Sequence, residues 1–295
     1  MNIVDRGSGT PVVLIPGVQG RWEWMASGVD ALAKQCRVIT FSLADEPTCG
    51  ARFDASRGFE CYVQQVIEAM DAAGVASATV CGVSYAGLIA AAVAARHPDR
   101  VSKLILVSAI PPSWRPDDRV KFLIGHPRLL SPLFCLGALR LYPEIASACG
   151  GRLAGLWFTV VNVGHIIRHM FSPTLMAGRV HLIAGLDLEA EVSRLEQPTL
   201  VITGDETDRV VPARLTRQYL QLLPHARSAT IPRTGHLGLV TRPEVFADLV
   251  ARFTGQTVRV EEGLGPQEGR PQASGLRLGT LAKASPEPGR LEPGA

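Results

Sequence analysis

The sequence predicts an α/β fold in which helices cover both faces of a doubly wound, mostly parallel sheet. Short β-branched runs alternate with helical patterns along most of the 295 residues, which is typical of strand–helix–strand units. The runs are almost continuously apolar, as expected of strands that are buried on both faces. Hydrophobic residues make up 46% of the chain, so there is enough apolar side chain to fill a sizeable core.

Six apolar runs are the candidate strands, and four segments between or after them have helical periodicity. The strands are expected at residues 12–15, 38–41, 79–81, 104–107, 200–202 and 229–231. The helices are expected at residues 59–70, 88–96, 215–223 and 245–253. The third of these helices follows Pro212, a residue type that favours the first turn of a helix.

Two segments interrupt this alternation and define the domain organisation. Residues 111–187 contain many aromatic residues but no strand–helix rhythm, so we expect a helical cap, or lid, inserted between two strands. Residues 256–295 contain seven glycines, five prolines and no aromatic residue, a composition that predicts a disordered tail. Residues 1–110 and 188–255 are therefore expected to form the core of the protein.

Composition excludes several classes of protein. The formal net charge of +3 is too small to indicate binding of nucleic acid. The six cysteines lack metal-ligand spacing and the N-terminus lacks a secretory signal, so we expect reduced thiols and a cytoplasmic location. The longest uncharged apolar stretch, residues 153–167, is shorter than a transmembrane helix requires.

A serine lies at the corner between the third candidate strand and the helix that follows it. The segment Gly82-Val83-Ser84-Tyr85-Ala86-Gly87 would place the Ser84 hydroxyl at the carboxyl end of the sheet, near backbone N–H groups of the helix N-terminus. Small residues on either side would let strand and helix approach closely. The same segment also fits an ordinary turn whose serine only caps the helix.

A serine nucleophile needs a base and a carboxylate, and both follow the last two candidate strands. Asp208 comes after residues 200–202, and His236 comes after residues 229–231. Because the carboxyl ends of parallel strands meet at one edge of a sheet, both side chains are expected near Ser84. The three segments together favour nucleophilic catalysis more strongly than any one of them does alone.

In these segments the sequence resembles the α/β-hydrolase superfamily, of the compact kind with a helical cap, over roughly residues 3–255. The resemblance implies Ser84 as nucleophile, His236 as general base and Asp208 as the acid that orients it, without a cofactor or a metal.

The resemblance also implies an oxyanion hole. Residues 15–20 occupy the place of the loop that completes this hole in the family. The backbone N–H groups of Val18 and Tyr85 are therefore the candidate donors to a negatively charged oxygen. Their side chains are not needed for that role.

Four features depart from the family pattern. Ala86 replaces the usual second glycine of the serine motif, and Pro16 stands where histidine is common. Asp208 lies one residue further from the preceding strand than is usual, so Asp205 and Glu206 are rival acids. Few residues precede the first candidate strand, so we expect one or both leading strands of the usual sheet to be missing or abbreviated.

The activity implied is hydrolysis of a carboxylic ester or related acyl compound, with a small apolar or amphiphilic substrate. Lactone, thioester and carbon–carbon hydrolysis and acyl transfer use the same residues and stay open, as does a non-catalytic ligand-binding protein on this fold. Gln19, within the oxyanion loop, and Trp22, just after it, could line the substrate pocket. A solvent-facing turn explains Gln19 equally well, and plain packing explains Trp22 equally well.

Charge is distributed unevenly along the chain. Between Arg119 and Leu186, seven basic residues and the single acid Glu144 give +6, whereas 23 basic and 26 acidic residues elsewhere give −3. The basic stretch could attract an anionic or amphiphilic substrate, or rest on an anionic membrane surface. A solvated surface whose arginine stems cover apolar area is the simpler interpretation, and we favour it.

Overall fold

The computed structural model describes residues 1–130, 141–148, 153, 156, 172–204 and 208–255, and their seven strands form one sheet. The strands are β1 (Val4–Arg6), β2 (Pro11–Ile15), β3 (Arg37–Thr40), β4 (Ala78–Val83), β5 (Val101–Val107), β6 (Thr199–Gly204) and β7 (Arg227–Ile231). Their order is β1-β3-β2-β4-β5-β6-β7, with β1 antiparallel to β3 and all other neighbours parallel. The predicted doubly wound, mostly parallel sheet is confirmed, and a single three-residue strand precedes β2.

Eleven α-helices occur in the described part of the chain. They are α1 (Ala26–Leu32), α2 (Glu60–Ala72), α3 (Ala86–Arg96), α4 (Asp118–Gly125), α5 (Tyr142–Ala148), α6 (Pro173–Ala184), α7 (Glu189–Val192), α8 (Ala213–Thr216), α9 (Gln218–Leu222), α10 (Gly238–Thr241) and α11 (Pro243–Thr254). The helix expected at 215–223 is divided into α8 and α9 at Arg217. None of the described helices combines the length and apolar character needed to cross a bilayer.

The sheet separates two hydrophobic cores, because successive side chains of a strand point to opposite faces. On β2, Val13 and Ile15 belong to the core that also contains apolar residues of α2 and α3. Val12 and Leu14 belong to the other core, which α1 and α11 cover. Burial on both faces explains why the strands read as continuous apolar runs instead of alternating ones.

Helix α3, which follows Ser84, is buried along most of its length. Every residue from 86 to 94 is buried, because the helix packs on β4 and β5 and is covered by α2 and α7. A helix that is apolar all round can only be stable in such an interior position. Its N-terminus is therefore held firmly at the carboxyl edge of the sheet.

The described part of residues 111–187 contains the helices α4, α5 and α6. Asp117 caps α4 by accepting a hydrogen bond from the Val120 N–H at 2.8 Å, and Ser172 caps α6 through the Leu175 N–H at 3.3 Å. Helices α4 and α6 pack against each other. The role of this segment as a cap stays a prediction, and the predicted disordered tail, residues 256–295, lies outside the described residues.

Candidate active site

Ser84 occupies a strained turn between β4 and α3. Its φ of +54° lies in the left-handed region, which is unfavourable for a residue other than glycine. The Ser84 N–H donates to the Val107 carbonyl at 2.8 Å, and the Ser84 carbonyl accepts from Gly87 at 3.0 Å and Ile110 at 3.2 Å. These bonds fix the turn to β5 and the residues that follow it, and the side chain is only 6% exposed.

Close contact between strand and helix explains the small residues of this motif. A β-carbon at Gly82 would lie 2.2 Å from the Ala86 carbonyl oxygen, a distance that no side chain can tolerate. Ala86, where the family usually has glycine, begins α3 outside the left-handed region and is fully buried. Alanine therefore fits this position without strain.

Asp208 and His236 form a buried pair. Asp208 Oδ2 lies 2.8 Å from His236 Nδ1, while Asp208 Oδ1 accepts hydrogen bonds from the Val210 and Val211 N–H groups, each at 2.8 Å. A carboxylate at Nδ1 fixes the tautomer in which Nε2 can accept a proton. The rival acids Asp205 and Glu206 lie outside the described residues.

Ser84 and His236 lie at the same edge of the sheet. They follow β4 and β7, which are joined through β5 and β6 by parallel pairing, so their loops leave the sheet in the same direction. No hydrogen bond joins Ser84 Oγ to His236 within the part of the chain that the structure describes. Bonds of this kind are often long before substrate binds.

The loop of residues 17–20, here called the oxyanion loop, lies directly beside Ser84. A β-carbon on Gly17 would lie 3.5 Å from Ser84 Cβ, and the Gly20 N–H closes the turn on the Gly17 carbonyl at 2.9 Å. In the described loops and turns, neither the Val18 N–H nor the Tyr85 N–H donates a hydrogen bond. Both amides are thus free of protein partners in that part of the chain.

The two predicted pocket residues have different surroundings. Gln19 Oε1 would lie 3.3 Å from a β-carbon on Gly17, so this side chain stays close to the serine turn. Trp22 packs against the core under α1 and α11, and the Arg6 guanidinium lies 5.3 Å from its ring. These contacts favour the packing interpretation of Trp22, and a pocket role for Gln19 stays a prediction.

The interpretation of the basic stretch as solvated surface is wrong for Arg179. In α6 this residue is only 1% exposed, and its Nη2 lies 2.7 Å from Glu46 Oε1. Its Nη1 donates to the Val18 carbonyl at 2.9 Å. The partners are 133 residues apart in sequence, so no local pattern could have revealed the pair.

Glu144, the single acid of the basic stretch, also contacts a loop of this site. From α5, its Oε1 accepts a hydrogen bond from the Leu237 N–H at 2.9 Å and lies 3.5 Å from Thr241 Oγ1. Burial raises the pKa of Glu144, although hydrogen bonds from Leu237 and Gly235 and the nearby His236 oppose the rise. The loop that carries His236 is therefore held by a carboxylate from residues 111–187.

Comparison with known proteins identifies the family. The sequence profile of the alpha/beta hydrolase family matches residues 12–249, which is most of the chain. The chain belongs to the alpha/beta hydrolase family. The resemblance inferred from the serine, acid and histidine segments is thereby confirmed.

Relatives within this family are named for several hydrolytic reactions. A 2-hydroxymuconate semialdehyde hydrolase of Pseudomonas putida is 27% identical over 263 residues, covering 85% of this chain and 89% of the relative. A Caulobacter protein, RutD, whose name assigns it provisionally to carbamate hydrolysis, is 28% identical over 266 residues, covering 82% of this chain and 89% of its own length. The prediction that the chain is an enzyme is confirmed by these hydrolase relatives and the family match.

A solved structure shows the same fold. The enol-lactonase from Burkholderia xenovorans LB400 superposes with a TM-score of 0.69 at 21% identity, covering 86% of this chain and 96% of that one.

In the residues that the structure describes, no group of three or more His, Cys, Asp or Glu side chains could hold a metal ion.

Proposed function

We propose that the protein is a serine hydrolase that cleaves a carboxylic ester or related acyl compound through an acyl-enzyme intermediate. The observation that carries this proposal is the combination at one sheet edge of Ser84, strained at φ +54°, and the buried Asp208–His236 pair at 2.8 Å. A strained serine is expected where function requires the hydroxyl to be presented, because strain costs stability. The family membership of the chain supports the same conclusion.

The proposed reaction assigns one role to each group. Ser84 Oγ attacks the carbonyl carbon of the substrate while His236 Nε2 takes the hydroxyl proton. The carbonyl oxygen becomes negatively charged and receives hydrogen bonds from the Val18 and Tyr85 N–H groups. His236 then gives the proton to the leaving oxygen, and a water molecule, deprotonated by His236, cleaves the acyl-enzyme and restores Ser84.

Asp208 serves this cycle by holding and balancing the imidazole. Its Oδ1 is fixed by two backbone N–H groups, so the carboxylate cannot rotate away from His236. When His236 becomes protonated, the negative charge at 2.8 Å stabilises the imidazolium. The burial of both side chains strengthens this interaction relative to water.

The substrate is proposed as a small apolar or amphiphilic acyl compound. One relative is named a semialdehyde hydrolase and one structural neighbour an enol-lactonase, so lactone hydrolysis is a second candidate, and carbon–carbon hydrolysis stays open. Thioester hydrolysis and acyl transfer would use the same groups. Epoxide and haloalkane hydrolysis in this fold need a carboxylate at the position of Ser84 and are not proposed.

A fluorophosphonate probe tests the proposal, because it phosphonylates only an activated serine. The folded protein should be labelled at Ser84, and Ser84→Ala should abolish both labelling and hydrolysis of p-nitrophenyl butyrate. Ser108→Ala is the matched control, since Ser108 is also buried in a left-handed turn (φ +45°), after the neighbouring strand β5. A folded wild type that is not labelled, or Ser84→Ala that still is, would refute the proposal.

A substrate panel distinguishes ester hydrolysis from its rivals. p-Nitrophenyl esters of two to eight acyl carbons, a γ-lactone and a thioester are compared by kcat/KM, with Ser84→Ala as background. We expect esters to be turned over best. A lactone or thioester that exceeds every ester would replace the acyl class proposed here, while leaving the roles of the residues in place.

A further inference from the structure

A buried ion pair joins helix α6 to the oxyanion loop. The Arg179 and Glu46 side chains are only 1% and 4% exposed, and 2.7 Å separates Arg179 Nη2 from Glu46 Oε1. The other terminal nitrogen of the guanidinium donates to the Val18 carbonyl at 2.9 Å. Val18 is the residue whose N–H is the proposed oxyanion donor, so the pair contacts the loop at the functional position.

We propose that Arg179 is a positioning residue that sets the oxyanion loop, with Glu46 as its counter-ion. The inference rests on the proposed serine hydrolase function and extends it to a residue of the segment 111–187. Arg179 does not touch the substrate in this proposal. It acts by fixing the Val18 carbonyl, and through the Val18 backbone also the preceding Gly17–Val18 peptide, so that the Val18 N–H points toward the oxygen bound at Ser84.

The shape of the loop leaves room for the guanidinium. Gly20 has φ +80°, and a β-carbon there would lie 2.3 Å from Arg179 Nη1. The Gly20 carbonyl also accepts a hydrogen bond from the Leu43 N–H at 2.6 Å. The loop is thus fixed on one side by β3 and the residues after it, and on the other side by Arg179.

The Arg179 guanidinium also contacts a residue that packs against Tyr85, whose N–H is the second proposed donor. Arg179 Nε donates to the Tyr62 hydroxyl at 3.4 Å, and the Tyr62 ring meets the Tyr85 ring edge-on at 6.4 Å. Val18 and Tyr85 are therefore both linked to one buried guanidinium, Val18 directly and Tyr85 through a ring contact. Lysine has a single nitrogen and cannot reproduce this set of contacts.

Stability alone does not explain the pair. Both charges are removed from water, and replacing such a pair by apolar side chains of similar size is often neutral or stabilising. Removing only one partner leaves an unpaired buried charge and is strongly destabilising. This contrast allows a stability role to be separated from a positioning role by a double substitution.

The test compares Arg179→Met, Glu46→Leu, the double variant and Arg179→Lys with the wild type. Arg252→Met is the control, because Arg252 is exposed in α11, which like α6 has 12 residues and begins with proline. Each variant is measured for Tm and for kcat and KM with p-nitrophenyl butyrate. Inhibition by an alkyl boronic acid, which forms a tetrahedral adduct on an activated serine, is measured in parallel.

We expect the single substitutions to lower Tm by on the order of 10 °C and the double variant to recover most of that loss. Arg179→Met, Arg179→Lys and the double variant should all lose about tenfold or more in kcat, with KM changed less than about threefold, because the oxyanion donor is misplaced. Affinity for the boronic acid should fall with kcat. Arg252→Met should match the wild type.

A double variant with wild-type kcat and boronic acid affinity would overturn the proposal. If Arg179→Met does not fold, the double variant decides, and if that variant fails too, Arg179→Lys decides because it keeps the buried charge. A wild type that neither hydrolyses the ester nor reacts with a fluorophosphonate would instead refute the proposed function. The two failures are therefore distinguishable.

Discussion

Two regions of the candidate site are built in different ways. The Ser84 turn is held by residues close to it, through backbone hydrogen bonds to Val107, Gly87 and Ile110 and through the contact of Gly82 with α3. The oxyanion loop and the loop that carries His236 each receive a charged side chain from residues 111–187. Arg179 reaches the first loop over 161 residues of sequence, and Glu144 reaches the second over 93.

This difference separates a fixed element from adjustable ones. The serine turn belongs to the buried sheet and helix and keeps its shape as long as the core is intact. The two loops in addition receive contacts from α5 and α6. Substitutions that disturb the packing of the first region, as at Gly82, should therefore act mainly on folding, whereas loss of Arg179 or Glu144 in the second should also lower kcat.

The largest expected effect comes from a substitution in the Asp208–His236 pair. Asp208→Asn should lower kcat by roughly 10³–10⁴-fold, because an asparagine favours the wrong imidazole tautomer and cannot stabilise the imidazolium. Asp205→Asn should change kcat less than about threefold. Steady-state kinetics with p-nitrophenyl butyrate measures both, and equal losses in the two variants would contradict the assignment of Asp208.

The second largest effect is expected from a substitution that disrupts the serine turn. Gly82→Ala should cost about 3 kcal/mol or more in the free energy of unfolding, because its β-carbon would lie 2.2 Å from the Ala86 carbonyl oxygen. Gly125→Ala, at a position with open space around the new β-carbon, is the control and should be neutral or slightly stabilising. Thermal and urea unfolding measure both. A Gly82→Ala protein as stable as the control would show that the strand–helix contact is less tight than described.

A smaller effect concerns Glu144 and separates activity from stability. Burial raises the pKa of Glu144 above its usual value of 4.5, so the folded protein holds this proton to a higher pH than the unfolded chain does. The contribution of Glu144 to folding stability therefore falls as pH rises from about 4.5 through the raised pKa. Glu144→Gln does not titrate, so its Tm should gain on that of the wild type as the buffer is changed from pH 5 to pH 7.5.

The same variant should be less active, because the negative charge near His236 is lost. We expect kcat to fall roughly threefold to tenfold, corresponding to about 1 kcal/mol. Glu189→Gln, an exposed acid in α7, is the control and should leave kcat unchanged. A constant Tm difference across this pH range would contradict the proposed burial of the Glu144 charge.

The smallest effect tests the strain at the serine. Ser84→Gly should raise Tm by about 2–4 °C relative to Ser84→Ala, since glycine adopts φ +54° without the cost of about 1 kcal/mol that a β-carbon imposes. Both variants should be inactive. Differential scanning calorimetry of the pair gives the comparison directly, and identical Tm values would argue against stored strain.

The sheet and the serine turn could be predicted from sequence because their signals are local. The apolar runs at 12–15 and 104–107 lie within β2 and β5, and the motif around Ser84 gave the strand–turn–helix junction. Strand burial and glycine contacts are properties of a few consecutive residues, so composition and spacing reveal them. The three-residue β1 was too short to carry such a pattern.

The burial of Arg179 and the half-buried position of Glu144 could not be predicted, because nothing in the sequence near either residue distinguishes a buried side chain from a solvated one. The uneven charge distribution is evident from the sequence. The solvated-surface interpretation, however, treats every basic residue from Arg119 to Arg179 as exposed. Which charge is buried depends on contacts between segments far apart in the chain, and those are fixed only by the tertiary fold. Trp22 illustrates the same limit, since its partner Arg6 belongs to the edge strand β1.

The Arg179–Glu46 pair has a consequence for engineering this enzyme. Replacing residues 111–187 with the matching stretch of another hydrolase, a common way to change which compounds an enzyme accepts, would remove Arg179 and leave Glu46 in the recipient. The recipient would then contain a buried carboxylate without its ion-pair partner. A transplant of this segment should therefore carry position 46 with it, so the exchangeable unit is larger than the continuous stretch of chain.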